Sequence, residues 1–282
     1  MSQVRIAGIV LLLAMTGCGR KLEGTVTQDN NNTRPATAQS SSLSAAQIID
    51  RNRSLDNSHD STIKLRAWIN SQEDSGELNA PKQVQLTMYR KREPDGRLLI
   101  LAEFTSPPEE SDRDGLITVF PDGRIEAVRY VQSTDSFLVA TDATSEDALF
   151  GLTPQELADG QPEKYDFTLA GEETYQGTPV YRLEGKLKQG AESKFPRVVL
   201  LISTQDFAAL KAEFYDSHSE VARRLVVSRA EQIAGHWTRL RWTIDNLARR
   251  KKIDFEAVEV KYDQNLSDST FTREHLKKIA SR

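Results

Sequence analysis

Four histidines, His59, His218, His236 and His275, and a single cysteine, Cys18, are the side chains best suited to metal binding or nucleophilic attack. No two of the histidines stand at metal-ligand spacing, and no second thiol is present to complete a zinc site. The sequence holds no G-x-S-x-G elbow, no phosphate loop and no H-E-x-x-H helix. The acidic pairs Glu109-Glu110 and Glu172-Glu173 fall in turn-like surroundings and predict solvated surface carboxylates. His236, beside Trp237 on a predicted strand, reads as a packing residue. These residues assign no catalytic group, no metal and no cofactor. A hydrolase acting on a lipid or glycan is the least favoured reading, kept because a catalytic triad can be assembled from residues far apart in sequence.

The chemistry that Cys18 does suggest is acylation. It ends the stretch LLLAMTGCGRK, in which an apolar run from Ile6 to Met15 follows Arg5. That run is far shorter than the roughly 20 residues needed to span a bilayer, but it suits a signal-peptide core. Met15-Thr16-Gly17-Cys18 resembles the bacterial lipobox, whose Cys is diacylated and becomes the mature N-terminus. An ordinary secretory peptide with an incidental Cys is the alternative. With two or three acyl chains contributing about 0.8 kcal/mol per buried CH2, the mature chain would sit on a membrane without crossing it. Gly19 follows the Cys where an Asp would favour inner-membrane retention, so the pattern resembles that of a Gram-negative outer-membrane lipoprotein facing the periplasm.

Composition narrows the rest. The net charge is −4 over 282 residues, and loss of residues 1–17 removes Arg5 and no acid. A modestly acidic chain is not built for nucleic acid. With Cys18 acylated no disulfide can form, so the fold depends on its core. Residues 18–42 read as a lipidated Cys and a disordered tether, since TQDNNNTRPATAQSSS cannot bury a core. A flexible tether of about 24 residues reaches some 25–30 Å. The folded domain is expected over 43–282.

That domain opens with a helix over about 44–56. Ser44 and Gln47 form a capping box, Leu43 staples toward Ile48, and Ala45, Ile48, Ile49 and Leu55 share a face. The chain then turns to strands. Val84, Leu86 and Met88 alternate with polar residues, and EPDG, PDG and QGTP mark turns between apolar runs. Ten or eleven strands are expected, in one curved antiparallel sheet forming an incomplete β-barrel, an α+β fold that is mainly β. In KIDFEAVEVKY the apolar phase shifts between Phe255/Ala257 and Val258/Val260/Tyr262, which predicts a bulge. Residues 132–163 break the strand pattern. Thr153-Pro154-Gln155-Glu156 starts a helix there, and Phe137, Leu138, Leu149, Phe150, Leu152 and Leu157 cluster in a segment read as non-strand. It is either a helical lid over a cavity or a long crossover loop that fills the sheet's end. A short terminal helix, FTREHLKKIA, is capped by Thr272. The run Arg249-Arg250-Lys251-Lys252 reads either as a charged turn that keeps a sheet edge soluble or as a contact for anionic lipid headgroups.

In order, AAQIIDRNR, LFGLTPQEL, VYRLEGKLK, LKAEFYDSHSEVARRLVV, IAGHWTRLRWTI and STFTREHLKK resemble segments of the outer-membrane lipoprotein-sorting protein family, relatives of the carrier LolA and the receptor LolB. The resemblance spans most of 45–280. It implies an incomplete antiparallel barrel with a helical lid, whose concave face holds lipoprotein acyl chains or another hydrophobic ligand. Leu149-Phe150-Gly151-Leu152-Thr153-Pro154 stands where the family usually has Phe-Met-Gly-Ser-Asp-Phe, and no functional residue is carried over. On this reading the cavity lining would come from Trp68, Met88, Leu99, Leu101, Phe104, Phe120, Phe137, Phe150, Leu152 and Leu157. The partners would be a membrane, through the N-terminal lipid, and a lipid, acyl chain or lipoprotein. The competing reading is a non-enzymatic interaction module with an envelope protein as partner. If Cys18 is acylated, Cys18→Ala will remove the acyl mass from the mature chain and shift it from the membrane to the soluble fraction on centrifugation.

Overall fold

The computed structural model describes residues 43–55, 57–71, 80–122, 124–140 and 162–281. Cys18, the signal segment, the tether and the proposed lid residues Phe150, Leu152 and Leu157 lie outside them. Helix α1 spans Ala45–Ser54, and its N-terminus is closed as its residues dictate. The Ser44 hydroxyl accepts from the Gln47 N–H at 3.2 Å, and the Gln47 side chain accepts from the Ser44 N–H at 2.8 Å. Ile48 and Ile49 are buried, and Leu43 packs against the same core.

The strands are β1 (Asp60–Ser71), β2 (Lys82–Arg92), β3 (Leu98–Ser106), β4 (Gly115–Val119), β5 (Ile125–Val131), β6 (Ser136–Ala140) and β7 (Tyr165–Tyr175). They continue with β8 (Thr178–Leu187), β9 (Arg197–Ser203), β10 (Ala209–Tyr215), β11 (Val221–Ile233), β12 (His236–Asn246) and β13 (Lys251–Tyr262), and helix α2 follows at Arg273–Ala280. Thirteen strands form one open antiparallel sheet, in the order β6-β5-β4-β3-β2-β1-β13-β12-β11-β10-β9-β8-β7. The count exceeds the expected ten or eleven by β1, β6 and β7, of which β1 does carry an apolar alternation at Ile63, Leu65, Ala67 and Ile69. Phe137, assigned above to a non-strand segment, lies in β6 and pairs with Tyr130.

The strand order is that of an up-and-down meander cut open between β6 and β7. Directions explain the cut. Every adjacent pair in the order is antiparallel, including β1 with β13. Alternation from β1 leaves β6 antiparallel to β1, and alternation back from β13 leaves β7 antiparallel to β1 as well. The two edge strands therefore run the same way. Antiparallel neighbours can be joined by a tight turn, whereas parallel ones need a crossover of a dozen or more residues. The chain places its long mid-chain segment between these two strands. Several of the other connections are tight turns. Gln176-Gly177 and Ala234-Gly235 all take positive φ, the geometry of hairpin turns whose twist matches the flanking strands.

The predicted bulge is present. Lys64 pairs with Glu259 and Leu65 with Ala257, so Val258 is the extra residue and is 57% exposed. The bulge keeps Phe255 and Ala257 on the same face as Val260, and all three join one core. Further register shifts interrupt the β2–β3, β7–β8, β9–β10, β10–β11 and β11–β12 ladders, and each bends and twists its strand.

The sheet buries both faces unequally. One face, here called inner, carries a single cluster running from Ile63 and Leu65 through Val84, Ile100 and Ile117 to Val198, Ile202, Leu225 and Trp242, with α1 packed on it. The outer face is covered locally by α2, whose Leu276 and Ile279 meet Leu101, Leu116, Val128 and Tyr130. Thr272 caps this helix by accepting from the His275 N–H at 3.2 Å. Leu65→Ala removes a fully buried side chain from the β1–β13 ladder. It should cost about 2–5 kcal/mol in a urea titration, whereas Val258→Thr, four strand positions along β13 from Asp254 on the same ladder, should stay within about 0.5 kcal/mol.

Candidate functional site

The inner face carries the largest apolar cluster among the described residues. Its cluster is built from Ile, Leu, Val, Met, Ala and aromatic side chains contributed by both halves of the meander. Trp242 stacks on Phe255 with centroids 5.0 Å apart, and Phe195 packs against Phe214 at 5.4 Å. Helix α1 is pinned across this face at two places. The Asn52 side-chain amide donates to the Phe207 carbonyl at 2.6 Å, and Arg53 pairs with Glu163 at 2.6 Å. The guanidinium of Arg51 lies 4.8 Å from the Phe207 ring. Arg223 is a buried charge of the same half, with its guanidinium 4.9 Å from the Phe195 ring.

The lining residues expected from sequence do not all share this face. Met88 and Phe104 belong to the inner core. Leu101 is buried on the outer face beneath α2, and Phe137 packs there against Tyr130 at 5.4 Å. Leu99 is half-buried and alternates with Leu98 and Ile100, so it too points outward. Phe120 sits at the β4–β5 turn with the Arg124 guanidinium 4.6 Å from its ring. Period-two alternation identifies two faces but does not say which one is inner, and that is the cause of the mixture.

Trp68 lies opposite Asp254, which in turn lies opposite Thr243, and so is on the outer face. There it borders a cleft of about 440 Å³ with Arg241, Thr243, Asp254 and Glu256 among its walls. The polar groups of this cleft are paired with one another. Arg241 and Arg66 both reach Glu256, at 2.5 and 3.2 Å, and Thr243 donates to Asp254 at 2.6 Å. Farther along the same face Lys64 and Lys261 flank Glu259, at 2.6 and 2.5 Å, and hold its carboxyl down to about 2.

At the rim where β1 begins and β13 ends, the fold assembles a polar group that sequence reasoning missed. His236 Nε2 lies 3.1 Å from Asp263 Oδ2, and its ring centroid is 4.4 Å from that of Tyr262. Tyr262 and Thr238 share a hydroxyl–hydroxyl bond of 2.7 Å. The other Asp263 oxygen accepts from the His59 N–H at 2.8 Å. Burial pushes the Asp263 carboxyl up, but the His59 N–H and His236 together outweigh it and leave the group below its usual range. The pair joins residues 27 apart in sequence at the ends of neighbouring strands, so no local motif announces it. Glu110 also departs from expectation. It is buried, not solvated, and is paired with Lys82 and with Arg113, the latter at 3.2 Å. Glu172 and Glu173 are exposed as expected, but on strand β7 and not in a turn. Among the described residues no three His, Cys, Asp or Glu side chains gather as a metal site, and no helix is long and apolar enough to cross a membrane.

A family model described as uncharacterized protein-like matches residues 99–278, more than half of the chain. Solved structures share the architecture. A DUF1329 family protein from Desulfovibrio piger superposes with a TM-score of 0.68 at 22% identity, covering 81% of this chain and 95% of its own. A putative outer membrane lipoprotein-sorting protein domain from Vibrio parahaemolyticus gives 0.71 at 17% identity, covering 82% and 97%. A LolA superfamily protein from Nitrosomonas europaea gives 0.59 at 14% identity, covering 83% and 100%. The chain belongs to the family that this model describes, and it shares its fold with these structures. No curated protein matches it. At these identities the likeness to the solved structures is one of fold.

The rim pair has a pH signature. A carboxylate whose folded pKa is depressed contributes stability above its unfolded pKa and loses it as pH falls through the folded value. Asp263→Asn should therefore lower the urea midpoint at neutral pH. The gap to the parent should close as pH falls below about 4, the unfolded value of an Asp.

Proposed function

We propose that this chain is a carrier or receptor of the bacterial cell envelope that binds an acyl chain or a similar apolar ligand against the inner face of its open sheet. The observation that carries this reading is the continuous apolar cluster on one face, shared by both halves of a sheet whose edges β6 and β7 are not joined. An open sheet can admit a guest between its two halves without breaking a strand ladder. Burial of apolar surface supplies the driving force, at about 0.8 kcal/mol per CH2, from which ordering and association costs are subtracted. No covalent step is needed, and the reading assigns no catalytic residue.

Lipidation at Cys18 and a tether over 18–42 would hold this domain over 43–282 at a membrane, and the lipobox-like segment with Gly19 supports the outer membrane. Likeness of fold to a LolA superfamily protein supports a cargo of lipid or lipoprotein, and likeness to a putative lipoprotein-sorting domain supports a role in sorting toward the outer membrane. A second reading, an interaction module for an envelope protein, rests on β6. This edge strand, SFLVA, carries no charge, and its Leu138 and Val139 are 52% and 40% exposed. Long apolar edges invite pairing with another chain.

Native mass spectrometry of the full chain purified from its own envelope separates the two. A bound lipid mass that vanishes on organic extraction is the expected result. A ligand-free mass, together with no displacement of a fluorescent fatty-acid probe, would overturn the carrier reading. A stoichiometric protein adduct lost on mutating Val139→Lys would establish the second.

A further inference from the structure

The turn between β12 and β13 has features that neither the core nor the rim pair explains. It reads Leu247-Ala248-Arg249-Arg250-Lys251-Lys252, with four cations and no acid in six consecutive positions of a chain whose net charge is −4. Arg249, Arg250 and Lys252 are exposed. Leu247 is 40% exposed, one of the few large apolar side chains among the described residues that face water.

Edge protection does not account for this charge. Lysines and arginines commonly guard the edges of sheets. Here β12 and β13 are interior strands, flanked by β11 and β1, and the edges are β6 and β7. Nor is the turn a loose loop. The Asn246 side chain accepts from the Arg249 N–H at 3.2 Å, Leu247–Arg249 forms one 3-10 turn, and Arg250 takes the left-handed conformation with its N–H directed to the Leu247 carbonyl at 3.3 Å. The cations and the leucine are thus presented together at one end of the sheet at little further entropic cost.

We propose that this turn docks the domain on an anionic lipid bilayer, with Arg249, Arg250 and Lys251 at the phosphates and Leu247 at the headgroup–acyl boundary. Cations near an anionic membrane surface and an apolar side chain in its interface reinforce each other. A nucleic-acid backbone would use the charges but has no place for the leucine, and the turn carries no aromatic ring to stack on bases. Lys252, exposed at the same end, pairs with Asp254 at 3.4 Å. The proposal is independent of the carrier reading, since it concerns the rim and not the inner face.

The test uses the mature chain from residue 18 carrying Cys18→Ala, so that neither the apolar run Ile6–Met15 nor an acyl anchor contributes. Cosedimentation is measured with vesicles of phosphatidylcholine alone and of phosphatidylcholine mixed with phosphatidylglycerol. Each surface cation is worth about a 5-fold change in partitioning, so Arg249→Gln with Arg250→Gln should weaken binding to the mixed vesicles about 30-fold. Arg249→Lys with Arg250→Lys should retain it, and Leu247→Ser should weaken it without changing its salt dependence. Urea midpoints of all variants should match the parent, because the substituted side chains are exposed. Equal binding of the parent to both vesicle types, or undiminished binding of the double Gln variant, would overturn the proposal. So would a preference for an oligonucleotide that Leu247→Ser leaves unchanged.

Discussion

The β1–β13 ladder is the interaction on which the rest of this structure depends. The two halves of the sheet, β1–β6 and β7–β13, are each a simple meander, and they share no other strand pairing. The ladder runs from Ser61–Tyr262 to Ser71–Lys251. Its upper end is locked by Asp60, a buried carboxylate that accepts from the N–H groups of Gln264 and Leu266 at 2.8 and 3.0 Å. A charged acceptor with two backbone donors is far stronger than a neutral pair. The same ladder fixes the strand directions, and through them the need for a long crossover between β6 and β7. Openness is therefore a consequence of pairing the first strand with the last in an odd-numbered sheet.

The ladder also separates two chemistries. On its inner side Leu65, Ala67, Ile69, Ile253 and Phe255 join the apolar cluster. On its outer side Lys64, Arg66 and Arg241 alternate with Glu256 and Glu259. Exposed pairs of this kind add little stability each. Their effect is on register, since a slip by one residue would turn every cation inward and every aliphatic group out to water. The apolar face is thus kept in place by charges on the opposite side of the sheet.

Much of this was legible in the residues. The capping box at Ser44 and Gln47, the N-cap at Thr272, the turn at Gln176-Gly177 and the bulge near Val258 all follow from local rules, and each is found where the pattern puts it. Strand β1 was missed although Ile63, Leu65, Ala67 and Ile69 alternate with Lys64, Arg66 and Trp68 after a turn signal at Asp56-Asn57-Ser58. Strand β7, YDFTLAGEETY, was missed because it is an edge: only Tyr165 is buried, so its apolar alternation is weak. The site was less legible than the fold. Trp68 and Phe137 have the composition of lining residues but face outward, because facing is set by the pairing partner and not by residue type. The contact of His236 with Asp263 and the burial of Glu110 depend on where strands end in space, information that no local window contains.

The placement of β13 bears on how the molecule comes into being. Contacts between β1 and β13 join residues on opposite sides of nearly the whole folded segment, which raises contact order and slows folding. Until β13 is available, β1 remains an open strand edge beside a half-covered apolar face, the kind of surface on which aggregation starts. A chain emerging N-terminus first can assemble its hairpins one by one, yet it cannot close the centre of its sheet before almost all of it has emerged. The protein is therefore most in need of chaperoning during the interval in which twelve of its strands exist and the thirteenth does not.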